Sequence, residues 1–96
     1  MPYDLRYHPK VRDDDLPKIP AEMRRRIARA IETRLQTAPE RFGAPLRGSL
    51  RDYWKLRVGD HRVVFARRGQ TIWILAIVHR KDVYQRAERR ASGPSG

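Results

Sequence analysis

Between Trp54 and Arg62 apolar residues alternate with cations: Trp54, Lys55, Leu56, Arg57 and Val58 lead into Gly59-Asp60, and His61 and Arg62 follow. Alternation at period two reads as a strand with Trp54, Leu56 and Val58 on one face and Lys55 and Arg57 on the other. A two-residue loop at Gly59-Asp60 closes a hairpin, setting Val58 opposite His61 and Arg57 opposite Arg62. Lys55, Arg57 and Arg62 then share one face of one ribbon. Like charges opposite one another destabilise a sheet, so folding alone gives no reason for the arrangement. The chemistry it suits is the holding of negative charge.

A second cluster, His79-Arg80-Lys81-Asp82-Val83-Tyr84, leaves the end of a long apolar run. Arg80 can pair there with Asp82 or Asp60, or it can join the ribbon cations. Parity separates the two clusters. With a two- or four-residue loop after the second hairpin strand, Arg62 falls on the face of Trp73, Leu75, Ile77 and His79. Arg80 then has to turn inward past the strand end, or a bulge has to change the parity. His79 stands as a secondary candidate for this reason.

Signals for other reaction classes are weak. There is no glycine-rich phosphate loop, no pair of carboxylates in an expected pocket, and no histidine spacing that suggests a metal site. His8, His61 and His79 lie on separate elements and read as surface or packing residues. Asp13-Asp14-Asp15 reads as a solvated helix start beside the helix dipole, since three adjacent helical residues point in different directions. The absence of cysteine excludes disulfides, thiolate metal sites and a cysteine nucleophile.

The 96 residues suffice for one core shared by sheet and helices. Twenty-two Lys plus Arg against 11 Asp plus Glu give a formal net charge of +11, which points to a polyanionic partner. Nucleic acid leads, with an acidic protein or an anionic membrane behind it. At 40% hydrophobic residues the chain can fold, so the charge belongs to a surface. The N-terminal residues lack a signal-like segment, and no apolar run approaches the roughly 20 residues that span a bilayer. A cytoplasmic location is the expectation.

The elements that must position these groups follow from periodicity. Tyr3, Leu5 and Tyr7 alternate with polar residues as a first strand ended by Pro9, and a short helix runs on to about Leu16. Pro17 and Pro20 break the chain, with Pro20 expected as the first residue of a second helix. Met23, Ile27, Ile31 and Leu35 form its apolar stripe, and Pro39 and Gly43 mark its end. Arg24, Arg25, Arg29 and Glu32 face outward. That basic face reads as solvated surface, with phosphate or partner contact by Arg24 and Arg25 as the alternative. Gly43 to Leu50 is a connector, and strands follow at 53–58, 61–66 and 71–78, with turns at Gly59-Asp60 and around Arg68-Gly69. The unbroken run Ile72 to Val78 is expected to be covered on both faces and central, with the N-terminal strand as a possible neighbour. A short helix from Asp82 to Arg90 and a frayed end complete the chain.

In order and spacing these residues resemble the RelE/ParE superfamily of bacterial toxins, and more closely its RelE branch. The resemblance covers residues 3 to 86. It is carried by Leu16-Pro17-Lys18-Ile19-Pro20, by the Gly43 to Leu50 connector with Leu46 and Gly48, by Trp54 through Val63, and by His79-Arg80 to Val83-Tyr84. It implies a small α+β RelE-like fold: an N-terminal strand and two helices, a three-stranded antiparallel meander and a short C-terminal helix. Residues 1–90 would form a single toxin domain and 91–96 a flexible tail. It also implies metal-independent, cofactor-free cleavage of mRNA in the ribosomal A site, inhibition of translation, and a cognate antitoxin that folds against the basic surface. The family's active-site cations match Lys55, Arg57, Arg62 and Arg80, and its C-terminal tyrosine matches Tyr84. Lys81 stands beside them as a further RNA contact. Arg57 stands where some relatives have lysine, and the turn before Arg62 is shorter than in some.

Such chemistry needs a ribose 2′-hydroxyl deprotonated, phosphoryl charge stabilised and the 5′-oxygen protonated as it leaves. Lys55 or Arg57 would favour the alkoxide, Arg62 would clamp the phosphate, Arg80 would stabilise the leaving oxygen, and Tyr84 would stack on a splayed base. Two other readings share much of this pattern. One is a ParE-like inhibitor of DNA gyrase without nuclease activity, and the other is a nucleic-acid binding module without catalysis.

Overall fold

Apolar side chains at every fourth position decide how the helical layer meets the sheet. In the computed structural model, which describes residues 2–93, helix α1 (Ala21–Ala30) runs directly into a π-helical turn, Ile31–Leu35. Ile27, Ile31 and Leu35 are buried along one side, with Met23 partly buried against the same core. Pro20 sits at the N-cap, one position ahead of its expected place, and its fixed φ leads the chain into the first turn. Pro39 and Gly43 do not end this helix; they bracket a separate short one, α2 (Pro39–Phe42). The short helix expected before α1 is a π-helical turn, Val11–Asp15, followed by a 3₁₀ turn, Leu16–Lys18.

The sheet has five strands: β1 (Asp4–Tyr7), β2 (Ala44–Pro45), β3 (Trp54–Val58), β4 (His61–Arg68) and β5 (Thr71–His79). Their order is β1-β5-β4-β3-β2, with β1 parallel to β5 and the other neighbours antiparallel. This is the expected α+β, RelE-like arrangement, with the N-terminal strand docked beside β5. The Gly43 to Leu50 segment is not wholly a connector. Ala44 and Pro45 pair with Lys55 and Trp54 as β2, and Gly48–Leu50 forms a 3₁₀ turn. Two residues, one of them proline, carry no period from which a strand can be read. Helix α3 (Val83–Ser92) closes the described chain and includes two residues of the expected tail. Gly93 caps that helix in extended conformation, and residues 94–96 of the expected tail lie outside the described residues.

β5 is buried on both faces, as its unbroken apolar run requires. On one side Ile27, Ile31 and Leu35 pack against Leu56, Val63, Phe65, Ile72, Ile74 and Ile77. On the other, Val83 and Ala87 of α3, with Leu46 and Leu50, cover Val64, Leu75, Ala76 and Val78. Leu75 and Ala76 are consecutive yet share a face, because β5 carries a bulge. Val64 pairs with Ala76 and Phe65 with Ile74, so Leu75 is the extra residue.

Asp15 corrects the solvated reading of the acidic run. Its carboxylate is buried, accepts both Arg90 terminal nitrogens at 2.6 and 3.0 Å, and accepts the Ile77 N–H at 2.9 Å. β1 ends opposite Ile74, so no strand partners that N–H, and Asp15 stands in for one. Arg90 also donates to the Leu75 carbonyl at 3.2 Å, tying α3 to the bulged residue. Bidentate geometry and the added backbone bond offset the desolvation of both charges. Asp15 follows Val11 by four positions and so shares its inward face, the one sequence signal of burial.

No helix among the described residues is long and apolar enough to cross a membrane. Arg90→Ala leaves the buried Asp15 carboxylate with the Ile77 N–H and only the Arg86 guanidinium, 3.9 Å away, and is expected to destabilise the fold by about 3 kcal/mol. Urea unfolding followed by circular dichroism measures this, and an unchanged midpoint would contradict the role given to the pair.

Candidate functional site

The β3–β4 hairpin brings the ribbon cations together in the expected register. Arg57 faces Arg62 and Val58 faces His61 across a two-residue Gly59-Asp60 turn. Gly59 has φ of +60° while Asp60 does not enter the positive region, as a type II′ turn requires. Lys55 lies opposite Val64, two residues along from Arg62, so Lys55, Arg57 and Arg62 share the face that α3 covers farther along.

Parity is where tertiary structure departs from simple alternation. The turn after β4 is the two-residue Gly69-Gln70, which with regular strands would leave Arg62 on the face of His79. The extra residue at Leu75 reverses this. Arg62 pairs with Val78, in step with Arg80.

Arg80 opens a 3₁₀ turn, Arg80–Asp82, held at both ends of its first peptide units. The Arg80 N–H donates to the Asp60 carbonyl at 2.8 Å, and the Lys81 N–H donates to His79 Nδ1 at 3.2 Å. Arg80 forms no ion pair with Asp82 or Asp60 among the described residues.

These contacts gather Lys55, Arg62, Arg80, Lys81 and Tyr84, with Val83 and Gln85, around a cavity of about 490 Å³. No acidic residue lines it. Arg62 Nη1 donates to the Gly59 and His61 carbonyls at 3.1 and 2.9 Å, anchoring the guanidinium over the hairpin. Burial, then the neighbouring Arg57 and Arg80 charges, hold its pKa below the usual arginine value, against a smaller opposing effect of Asp60. An anion entering here would meet positive charge with no carboxylate among the lining residues. The Tyr84 ring is exposed while its hydroxyl accepts the Arg47 N–H at 3.0 Å. Ser49 donates to Glu88 at 2.7 Å, so the 46–50 segment braces α3 beneath the tyrosine.

The remaining candidates lie elsewhere. Arg57 pairs with Arg62 across the ladder but does not line the cavity; it borders a separate cleft with α1. His79 faces the opposite side of the sheet, paired with His61 at 6.0 Å between ring centroids. It acts on the site through its cap on Lys81. Arg24 and Arg25 border a groove on the α1 side with Tyr7, Leu16 and Ile27. Arg24 donates to the Leu16 and Ile19 carbonyls at 3.2 and 2.7 Å, closing the turn before its own helix. Neither arginine joins the cation cavity. The Asp60 carbonyl, Arg47 and Asp15 support the site without any sequence motif of their own; only the Val11 to Asp15 spacing hinted at one of them.

A family model described as the ParE toxin of type II toxin-antitoxin system, parDE, matches residues 5–84. The chain belongs to this toxin family. Within the wider RelE/ParE superfamily, a chain of the toxin-antitoxin complex RelBE2 from Mycobacterium tuberculosis is 28% identical, with a TM-score of 0.71, covering 82% of this chain and 99% of that one. A mutant of E. coli toxin RelE in the free state shares the fold at 18% identity and a TM-score of 0.71, over 94% of this chain and 98% of that one. The RelB-RelE antitoxin-toxin complex from Methanococcus jannaschii contains a further similar fold, at 24% identity and a TM-score of 0.63, over 81% and 93% of the two chains. Comparison with curated proteins gave no match.

In this ParE-family chain burial lowers the His61 pKa, and the His79 and Arg62 charges lower it further against the opposing Asp60. Its Nδ1 is buried without a hydrogen-bond partner. The unfolded chain, with a histidine pKa of about 6.5, therefore binds a proton more readily than the folded one. This contribution to stability is present above about pH 6.5 and is lost as the pH falls through the window between the unfolded and folded pKa values. Unfolding free energies measured across that window are expected to depend less steeply on pH in His61→Gln than in the parent; equal slopes would contradict the assignment.

Proposed function

We propose that this toxin is a metal-independent, ribosome-dependent mRNA endoribonuclease that inhibits translation. The observation that carries the reading is the cavity in which Lys55, Arg62 and Arg80 converge beside Lys81 and Tyr84 without an acidic residue. Such a site suits a phosphodiester in an in-line displacement. The ribose 2′-oxygen attacks the adjacent phosphorus, the bond to the 5′-oxygen breaks, and the proton lost from the first oxygen is matched by one gained at the second. The products are a 2′,3′-cyclic phosphate and a 5′-hydroxyl.

Lys55 lines the cavity, whereas Arg57 borders the neighbouring cleft. That placement favours Lys55 for the 2′-hydroxyl proton, because an arginine stays protonated and makes a poor base. Arg62, fixed by two carbonyls, offers its planar fork to the phosphoryl oxygens, and an incoming phosphate would offset both the burial and the neighbouring Arg57 and Arg80 charges that lower its pKa. Arg80 stabilises the leaving 5′-oxygen from the far side. Tyr84 presents an exposed ring for a splayed base, with its hydroxyl tied back to Arg47. The solved relatives that are toxin-antitoxin complexes support a cognate antitoxin partner, acidic or amphipathic, that covers this basic surface in the cytoplasm.

The description of the matching family favours a second reading, a gyrase inhibitor that binds without cleaving nucleic acid. Induced expression separates the two. Rapid loss of protein synthesis with cut mRNA supports the nuclease, and DNA damage with filamentation supports the gyrase inhibitor. In a purified translation system Arg62→Ala is expected to lower mRNA cleavage by about 10² to 10³ while the far-ultraviolet dichroism stays unchanged. A folded variant that cleaves at the parental rate would remove Arg62 from the mechanism.

A further inference from the structure

On the other flank of the β3–β4 hairpin the helical layer presents a second group of arginines. Arg26 and Arg29 of α1, Arg34 of the π-helical turn and Arg57 of β3 border a cleft of about 350 Å³. No acidic residue lines it, and none of the four joins an ion pair among the described residues. Three cations on neighbouring turns of one helical segment repel each other, and Arg57 adds a fourth, so folding gives no reason to gather them. Thr33 shares the cleft, but its hydroxyl donates to the Arg29 carbonyl at 2.8 Å. The guanidinium forks are left as its recognition groups.

Two further observations give the cleft a direction. Arg57 borders it and pairs across the ladder with Arg62, which lines the Lys55, Arg62 and Arg80 cavity, so the two clefts lie one cross-strand pair apart. β2 covers β3 only at Trp54 and Lys55, which leaves the β3 edge at Arg57 and Val58 without a strand beside it. At the other end, the Arg34 guanidinium lies 5.9 Å from the centre of the Phe42 ring, and Arg41 approaches the same ring at 5.9 Å. Phe42 is 43% exposed, the side chain of an aromatic residue that the core does not use.

We propose that this arginine cleft binds the phosphodiester backbone of the single-stranded RNA that enters the cavity, and that Phe42 stacks on one of its bases. The inference rests on the nuclease reading and extends it to nucleotides beyond the cleaved bond. Planar forks tracking a backbone beside an exposed ring are what sequence-tolerant single-strand binding requires. An acidic protein would match the charge equally, but apart from Ala30 and Val58 the cleft offers no apolar side chain to anchor one.

The test uses the full chain and a fluorescent 2′-O-methyl oligouridylate, which cannot be cleaved and is long enough to span both clefts. Anisotropy titrations at several salt concentrations compare the parent with an Arg26→Ala, Arg29→Ala, Arg34→Ala triple variant and with Phe42→Ala. Removing three phosphate contacts is expected to make the slope of log K against log salt shallower by about 2. Phe42→Ala is expected to weaken binding about tenfold with the salt slope unchanged. If the triple variant does not fold, Arg34→Ala alone is read the same way, with a slope change of about 0.7. Parental affinity and slope in a folded variant would overturn the cleft while leaving the nuclease reading intact. Failure of the parent to bind the oligonucleotide would likewise overturn the cleft, while the nuclease reading stands or falls on mRNA cleavage in the purified translation system. Loss of polyglutamate binding with RNA binding unchanged would assign the cleft to an acidic protein and overturn the RNA proposal.

Discussion

One extra residue in β5 decides which side of the sheet each functional group occupies. Because Leu75 and Ala76 both turn toward α3, every residue after them changes face relative to simple alternation. Arg80 thereby joins Arg62 and Lys55, and His79 is sent to the opposite side. Such a parity change needs something to stabilise it, since a bulge leaves ladder groups unpaired. The buried Asp15 to Arg90 pair serves that need at the bulge itself, where the guanidinium takes the Leu75 carbonyl, while the carboxylate takes the Ile77 N–H that β1 is too short to reach. The pair joins the first helical turn, the bulged strand and the last helix at one point, which makes the geometry of the cation cavity dependent on residues far from it in sequence.

The distribution of charge follows a division of labour. Apolar packing on both faces of β5 supplies the stability, through α1 on one side and α3 on the other. The most buried carboxylate is engaged inside the fold, and the cation cavity and the arginine cleft have no acidic lining at all. Repulsion among Arg57, Arg62 and Arg80 is thus retained in the folded chain, where it adds to burial in depressing the pKa of Arg62. A bound polyanion relieves that repulsion, so binding energy is drawn from strain already present in the free protein. The same logic explains why the hairpin tip is tightly held. Its carbonyls accept from Arg62 and from the Arg80 backbone, fixing like charges near one another that would otherwise spread apart.

Much of this was legible in the residues. Period two from Trp54 to Arg62, broken by Gly59-Asp60, specified a hairpin register that the structure reproduces pair by pair. The four-residue spacing of Met23, Ile27, Ile31 and Leu35 specified the buried side of the helical layer, and the run from Ile72 to Val78 specified a strand covered on both faces. Local patterns of this kind survive because the side chains that define them are close in sequence. Less legible were β2, too short to carry a period, and the burial of Asp15, whose acidic neighbours Asp13 and Asp14 concealed an inward spacing from Val11. Arg24 looked like its outward neighbours but spends its guanidinium on the Leu16 and Ile19 carbonyls.

What the sequence by itself determined was the chemistry available: an excess of cations, their alternation along one ribbon, a tyrosine after a second basic cluster, and enough apolar surface to fold them. Tertiary structure alone decided which of those cations meet. Nothing local in β5 announces that Leu75 is the extra residue, because in a strand buried on both faces every position is apolar and no polar alternation records a slip. The two packed layers choose it instead, by demanding Leu75 and Ala76 together under α3 and Ile74 and Ile77 against α1. A side chain's face is a property of the whole sheet and its coverings, and a single segment cannot encode it.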